Sequence, residues 1–165
     1  MPDEVLPARL GSDELETWSA LATVLEWLPP ALDAQLLADS EMTHFEFGIL
    51  FALAGAPDRT LRMSVLADYA NSSLTRLSRA ASRLEGRGWL RRNIDPEDGR
   101  YTLAVLTDEG AARFEQASPG HVSAVRRLVL DPLTPAQTRQ LRVISLRIQR
   151  AIRDGESWRP PAGAP

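Results

Sequence analysis

Residues 72–100, SSLTRLSRAASRLEGRGWLRRNIDPEDGR, decide the fold of this chain. The first half of this stretch has the period of an amphipathic helix, which Gly86 and Gly88 close. The second half opens a β-hairpin, because extended runs at residues 89–94 and 100–106 flank a turn at residues 95–99 that ends in Asp-Gly. A helix followed by a two-stranded wing is therefore predicted.

The predicted helix has two unlike faces. Its apolar face is expected to pack on a preceding helix and comprises Leu74, Leu77, Ala81 and Leu84. Its polar face combines small hydroxyls with arginines and comprises Ser72, Ser73, Thr75, Arg76, Arg79 and Arg83. Such a face suits a helix in a DNA major groove, where Arg bonds guanine bidentately. Taken alone, it equally suits a helix face in solvent.

The hairpin favours the DNA interpretation. A short extended piece at residues 61–63 and a brief helix over residues 65–70, capped by Ser64, precede the arginine-bearing helix. A helix pair followed by a wing is an arrangement that docks on DNA. At the wing tip, Arg100 is placed to enter a minor groove, where the negative potential is enhanced. Asp98 is placed either to hold that arginine or only to form the turn.

Long helices are predicted on both sides of this lobe. A leucine-rich amphipathic pattern covers residues 12–38, where Pro29 and Pro30 are expected to kink or split the helix. Thr43 and Glu46 have the spacing of a capping box, which predicts that the next helix begins there.

Two further helices are predicted after the wing. Thr107 caps the first, which runs towards Leu130 and is expected to bend at Pro119. Thr134 begins the last helix with a second capping box. Residues 154–165 are rich in Pro and Gly and are predicted to form a disordered tail. The expected fold class is mainly α with a small β-wing.

The composition excludes several classes of function. The chain has 165 residues, 44% of them apolar, and no cysteine, so disulfides and thiolate catalysis are excluded. With only His44 and His121 as histidines, neither a metal nor another cofactor is expected. No phosphate-binding glycine loop or Gly-x-Ser-x-Gly elbow occurs, so an enzyme is not expected. A cytoplasmic protein is expected, because no apolar run suits a signal peptide or membrane span.

Positive charge is concentrated in one part of the chain. The formal net charge is −3, yet residues 71–100 carry seven arginines against four acidic residues. The rest of the chain is net −6. A locally basic segment in an acidic chain is consistent with one DNA-contacting lobe on an acidic frame.

Five motifs make the chain resemble the MarR family of bacterial transcriptional regulators. They are MSVLADYA at residues 63–70, SSLTRL at 72–77, RLEGRGWLR at 83–91, DPEDGR at 95–100 and LTDEG at 106–110. Their order and spacing match the family, and the resemblance extends over residues 12–153. It implies a winged helix-turn-helix DNA-binding lobe at residues 56–107 and a helical dimerisation region at residues 12–55 and 108–153.

The resemblance also implies a homodimer that reads a palindromic operator in double-stranded DNA, by family default as a repressor. The residues that would approach the major groove are Ser72, Ser73, Thr75, Arg76 and Arg79. Arg91 and Arg92 would contact phosphates rather than bases. Asp98 and Arg100 match the family's Asp-x-Arg wing motif. Gly99 departs from it, because a residue with a side chain, often basic, is usual there, and this implies a more flexible wing with one phosphate contact fewer.

Many members of the family release DNA when a small aromatic or anionic molecule binds between the two lobes. The candidate wall residues for such a ligand are Trp18, Trp27, Met42, His44 and Phe47. At a helix N-terminus, His44 is expected to be neutral and able to exchange a hydrogen bond with a ligand. The same aromatic residues also fit an ordinary core. The alternative to DNA binding as a whole is a winged-helix module used for protein assembly.

Overall fold

The computed structural model describes residues 9–153 and residue 159, and the predicted disordered tail lies almost wholly outside these residues. Six α-helices and three strands follow one another in the described residues, with a 3-10 turn at Pro57–Arg59 and a π-helical segment at Arg126–Leu130. The helices are α1 (Ser12–Ser40), α2 (His44–Ala54), α3 (Met63–Tyr69), α4 (Leu74–Gly86), α5 (Asp108–Val125) and α6 (Pro135–Ile152). The strands are β1 (Thr60–Arg62), β2 (Leu90–Ile94) and β3 (Thr102–Leu106). The predicted fold class, mainly α with a small β-wing, is confirmed.

The wing is an antiparallel sheet of three strands in the order β1-β3-β2. Its hairpin pairs Leu90 with Leu106 and Ile94 with Thr102, as the turn residues predicted. The short extended piece before α3 is the third strand, and Leu61 of that strand pairs with Ala104. Strand β1 forms the edge of the sheet opposite β2 and leads directly into α3, so this edge joins the wing to the start of the helix-turn-helix.

One apolar core joins α2, α3, α4, α5 and the sheet. Its fully buried large side chains include Leu50, Leu53, Leu66, Leu77, Leu84, Leu90 and Phe114. Each of these elements contributes buried apolar side chains, and burying them together provides the main stabilising free energy of the lobe. The core thereby fixes how α4 and the wing are presented.

The predicted helix starts are mostly confirmed. Thr43 and Thr134 each cap a helix through a capping box, and Ser73 caps α4. Thr107 caps α5 by accepting a hydrogen bond from the Gly110 N–H. The predicted cap Ser64 is wrong, because α3 begins at Met63, two residues before the predicted start, and its N-cap position is Arg62, at the end of β1.

Of the two expectations for Pro29 and Pro30, a kink or a split of the first helix, the split is wrong. Helix α1 is continuous over 29 residues with Pro29 and Pro30 inside it. Each proline removes one backbone donor, but the turns beyond them are held by Leu32 and Leu36, which are buried. In α5 the helix likewise continues through Pro119, and a π-helical segment follows it at Arg126–Leu130.

The outer helices leave much apolar surface uncovered. Helix α6 contains no buried residue among those described, and Leu141, Ile144 and Ile152 on it are exposed. The first half of α1 exposes apolar side chains too, including Trp18 and Trp27. A groove of about 800 Å³ between α1, the π-helical segment and α6 is lined mainly by such residues. No helix of the described chain is both long and apolar enough to cross a bilayer.

Candidate nucleic-acid interface

Helix α4 is presented by the turn that precedes it. Asn71 in this turn has a left-handed backbone, with φ of 46°, which asparagine tolerates better than most residues. The Ser72 N–H donates to the Ala67 carbonyl at 2.9 Å, and Ser73 Oγ accepts from the Arg76 N–H at 3.2 Å. These bonds leave the Ser73 end of α4 at the surface.

The buried face of α4 differs by one residue from the prediction. Leu77, Ala81 and Leu84 are buried as expected, and Ala80 joins them. Leu74 is 57% exposed, so its predicted place in the core is wrong. It is the first residue of α4, where the helix has not yet reached the packing surface of α3, and this puts an apolar side chain beside the predicted base-reading residues.

The predicted base-reading residues lie together on the exposed face of α4. Thr75, Arg76 and Arg79 are all exposed there, and Ser72, in the turn, is partly buried. The Arg76 guanidinium lies 4.4 Å from the centre of the Phe45 ring on α2, which orients it without neutralising its charge. Arg79 has no hydrogen bond or ion pair within the described residues. These side chains line an open groove of about 410 Å³ between α4 and the start of α2.

Arg83, also predicted to contact DNA, is engaged inside the protein. Its Nε donates to Glu46 Oε1 at 2.8 Å. Glu46 is buried and its other oxygen accepts from the Thr43 N–H at 3.0 Å, which completes the capping box of α2. The geometry therefore favours a structural role for Arg83, joining α4 to the N-terminus of α2.

The two arginines of β2 have different surroundings. Arg92 donates to Glu85 at 2.6 Å and also to the hydroxyls of Ser78 and Ser82 on α4. Its hydrogen bonds lower the pKa of the Glu85 carboxyl below the ordinary value. Arg91 points to the opposite side of the strand, is exposed, and has no hydrogen bond or ion pair in the described chain. Of the two predicted phosphate contacts, only Arg91 is unengaged.

The wing tip is organised around an ion pair. Arg100 donates from Nε and Nη2 to the two carboxylate oxygens of Asp98, at 2.9 and 2.7 Å. These bonds lower the pKa of Asp98 and raise that of Arg100. The Arg100 side chain nevertheless remains 83% exposed. Of the two expectations for Asp98, the structure supports the one in which it holds the arginine.

A second ion pair, where the hairpin turn begins, has no counterpart in the sequence analysis. Arg62 of β1 donates to Asp95 Oδ2 from Nε at 2.9 Å, and its guanidinium lies 4.2 Å from the centre of the Tyr101 ring. Asp95 is buried, and the Glu97 N–H and Arg62 together lower its pKa. The two charged residues are 33 positions apart, so only the pairing of β1 with β3 brings them together.

The five candidate ligand residues do not form one site. Met42 is fully buried in the core, and Trp18 and Trp27 are exposed on α1, with Trp27 lining the groove beside α6. Only His44 and Phe47 share a cavity, of about 280 Å³, between α2 and α5. The structure therefore brings two of the five residues together at this cavity and places the other three elsewhere.

His121 of α5 completes this cavity, and the sequence analysis did not select it. Its ring centre lies 5.4 Å from that of His44 and 4.3 Å from that of Phe47. The Nδ1 atoms of both histidines are buried without a hydrogen-bond partner. Burial lowers the pKa of both side chains, in agreement with the expectation of a neutral His44. Two histidines thus line the cavity within an aromatic wall, with both Nδ1 atoms covered by protein.

Comparisons with known proteins point to one family. The model of the MarR family matches residues 41–100. The structure of Sco3205, a MarR family transcriptional regulator from Streptomyces coelicolor solved in complex with DNA, is 39% identical, with a TM-score of 0.85, over 91% of this chain and 99% of that one. AbsC, a MarR family regulator from the same organism, is 29% identical, with a TM-score of 0.84, over 90% of this chain and 99% of that one.

A relative from another organism agrees with these two. The HTH-type transcriptional repressor YetL of Bacillus subtilis (strain 168) is 28% identical over 118 residues, which cover 72% of this chain and 70% of YetL.

Proposed function

The chain belongs to the MarR family of transcriptional regulators, and from this premise we propose that it binds palindromic double-stranded DNA as a homodimer and thereby regulates transcription. The observation that carries the proposal is the exposed face of α4, where Arg76 and Arg79 keep their charge uncompensated beside the hydroxyls of Ser73 and Thr75. Uncompensated cations on a projecting helix are what a major groove requires.

The proposed contacts divide by task. The first turns of α4, with Ser72, Ser73, Thr75, Arg76 and Arg79, read bases and adjoining phosphates. Arg100, oriented by Asp98, enters the neighbouring minor groove. Arg91 contacts a phosphate. Arg83 and Arg92 hold α4 in place through Glu46 and Glu85, so they support the interface from inside the protein.

The homodimer is supported by the uncovered surface of α1 and α6. An isolated chain would leave the apolar side chains of α6 and the groove beside α1 in water, whereas a second copy would bury them. We therefore place the dimerisation region at α1, the later part of α5 and α6. Helix α2, which was expected to belong to that region, shares its core with α3 and α4, so we assign it to the DNA-binding lobe.

Repression and release by a ligand extend the same proposal. Repression is supported by the similarity to YetL, a transcriptional repressor, and is a proposal for this chain. A small aromatic acid or phenol is the ligand class that suits the cavity between His44 and His121, because aromatic walls contact its ring and the two histidines and Ser118 supply polar side chains beside it. No observation supports the protein-assembly alternative or a catalytic role.

DNA binding is tested by fluorescence anisotropy on duplexes enriched from a random pool. Arg79→Ala is expected to weaken binding by about 5- to 150-fold and to relax preference at particular base pairs, since a base contact contributes about 1–3 kcal/mol. Arg9→Ala, an exposed arginine outside the interface, is the control and should bind like the wild type. Wild-type affinity and preference in Arg79→Ala would contradict the proposed orientation of α4.

The ligand class is tested by a thermal-shift screen of phenols and aromatic acids, followed by anisotropy with DNA present. A genuine effector should raise the melting temperature of the wild type and weaken its DNA binding. His121→Phe should abolish both effects while keeping the aromatic wall filled. A screen without any compound that does both would remove the ligand from the proposal and leave DNA binding intact.

A further inference from the structure

The end of α6 is bound to the turn of the helix-turn-helix. Arg153 follows the last residue of α6, and its Nη1 donates to the Asp68 carbonyl at 3.2 Å and to Asp68 Oδ1 at 2.8 Å. Its Nη2 donates to Asn71 Oδ1 at 2.9 Å. We call Arg153, Asp68 and Asn71 the α6 clamp. It joins residues more than 80 positions apart in the chain.

The α6 clamp engages the residues that set the direction of α4. Asp68 lies in the last turn of α3, and its carbonyl also accepts from the Asn71 N–H at 3.1 Å. Asn71 has the left-handed backbone that reverses the chain before Ser73 caps α4. A single planar guanidinium therefore bonds to both sides of the turn, a geometry that restrains orientation as well as distance.

A second contact joins the C-terminal end of the chain to the same place. The guanidinium of Arg159 lies 5.6 Å from the centre of the Tyr69 ring, at the end of α3. In the sequence, Tyr69 lies between Asp68 and Asn71, the two residues that Arg153 bonds. Two cations from the C-terminal part of the chain therefore converge on one turn. This convergence makes the contact of α6 with the DNA-binding lobe more than one isolated surface ion pair.

The rest of α6 faces outwards. Its apolar side chains, Ile144 among them, are exposed and line the groove that we assign to the second copy. The exposed apolar face of α6 therefore lies in the proposed dimer interface, and its C-terminal end contacts the turn before α4. Because an α-helix transmits a displacement along its length as a rigid element, the position of the partner and the position of α4 become linked.

We propose that Arg153 is a positioning residue that sets the distance and angle between the two α4 helices of the dimer, and so selects the half-site spacing that the protein accepts. The proposal rests on the proposed function. Two helices read half-sites one turn of DNA apart, about 34–36 Å, and one added base pair both translates and rotates a half-site. A dimer in which the α6 clamp holds each DNA-binding lobe in position rejects such a duplex, and a dimer without the clamp tolerates it.

The test measures binding to duplexes that differ only in spacing. The probes are an enriched operator, the same operator with one base pair inserted or deleted between half-sites, and a duplex carrying one half-site. Wild type, Arg153→Ala and Asp68→Ala are compared, with Arg150→Ala as the control, because Arg150 is an exposed arginine on the last turn of α6. The partly exposed clamp contributes little to folding, so the variants should stay folded.

The expected result is a loss of spacing discrimination. The ratio of Kd values for altered and natural spacing should fall at least threefold in Arg153→Ala and in Asp68→Ala. A variant that carries both substitutions should show no further fall. Affinity for the half-site duplex should not change. Undiminished discrimination, or an equal loss of affinity on every duplex including the half-site, would overturn the proposal. A wild type that binds the operator no better than random DNA would overturn the proposed function as well.

Discussion

At the scale of single residues, Gly110 shows how closely the start of α5 packs against the hairpin of the wing. A Cβ built at this position would lie 2.0 Å from the Trp89 carbonyl oxygen and 2.8 Å from the Leu106 side chain. The first turn of α5 therefore packs backbone against backbone with the start of the hairpin. This contact gives a physical reason for the glycine that ends the LTDEG motif at residues 106–110.

Gly110→Ala is expected to destabilise the protein by about 1–3 kcal/mol or more, because the methyl group overlaps a backbone atom that cannot move alone. Gly86→Ala is the matched control, since nothing lies within 4 Å of a Cβ there and the residue is helical. That control should leave stability unchanged or raise it by up to about 1 kcal/mol. Urea unfolding measures both, and equal stability of the two variants would contradict this packing.

The arginines also show where sequence reasoning stops. Their concentration in one window and the polar face of α4 could be recognised from spacing alone. Spacing alone could not show which arginines lack an acidic partner, because the partners of Arg83 and Arg62 come from distant segments. An ion pair depends on the relative position of two elements, which local periodicity does not specify. The same reason explains why His121 was not associated with His44.

At the scale of elements, helix and strand order was largely predictable because capping residues and turn residues act locally. The caps at Thr43, Ser73 and Thr134 each mark the start of a helix in the structure. The prolines of α1 were misjudged because tertiary packing of the residues beyond them compensates for the lost hydrogen bonds. Strand β1 was recognisable only as extended, since its partner lies about forty residues later.

The wing is the element whose DNA contact can be strengthened. Gly99 has ordinary backbone angles, and a Cβ there would meet only the Ile94 side chain at 3.9 Å. Gly99→Lys is therefore expected to fold normally and to add a phosphate contact, which tightens binding. The slope of log K against log salt should steepen by about 0.9 for each added contact.

Gly99→Gln is the control for this prediction, because it adds a side chain of similar length without charge. It should leave the salt slope at the wild-type value in a series of anisotropy titrations. If Gly99→Lys gave the same slope as Gly99→Gln, the wing tip would not lie near a phosphate, and the proposed docking of the wing would need revision.

At the scale of the whole molecule, the charge and apolar surface are segregated. The lobe that carries α4 and the wing includes residues 71–100, which have seven arginines against four acidic residues, whereas the rest of the chain is net −6. The exposed apolar side chains concentrate on α1 and α6. This separation suits a dimer in which the apolar surfaces of α1 and α6 of two copies pack together. The two locally basic DNA-binding lobes then face one duplex.

Ile144→Asp is expected to break that dimer, because it would place a charge in the apolar groove between α1 and α6 without a partner. Light scattering should change from about twice the chain mass of 18.2 kDa to that mass itself. Ile94→Asp, which changes an exposed apolar residue of the wing, should remain dimeric. A wild type that is monomeric at micromolar concentration would contradict the placement of the interface.

The most direct test of the central claim is to sequence the duplexes that the wild-type protein enriches from a random pool and to measure how many chains bind each one. The account predicts an inverted repeat with half-sites about one helical turn apart and two chains on each duplex. It also predicts that Arg79→Ala changes the preferred bases within the half-sites. No enrichment over the starting pool, or an asymmetric site bound by one chain, would contradict the account.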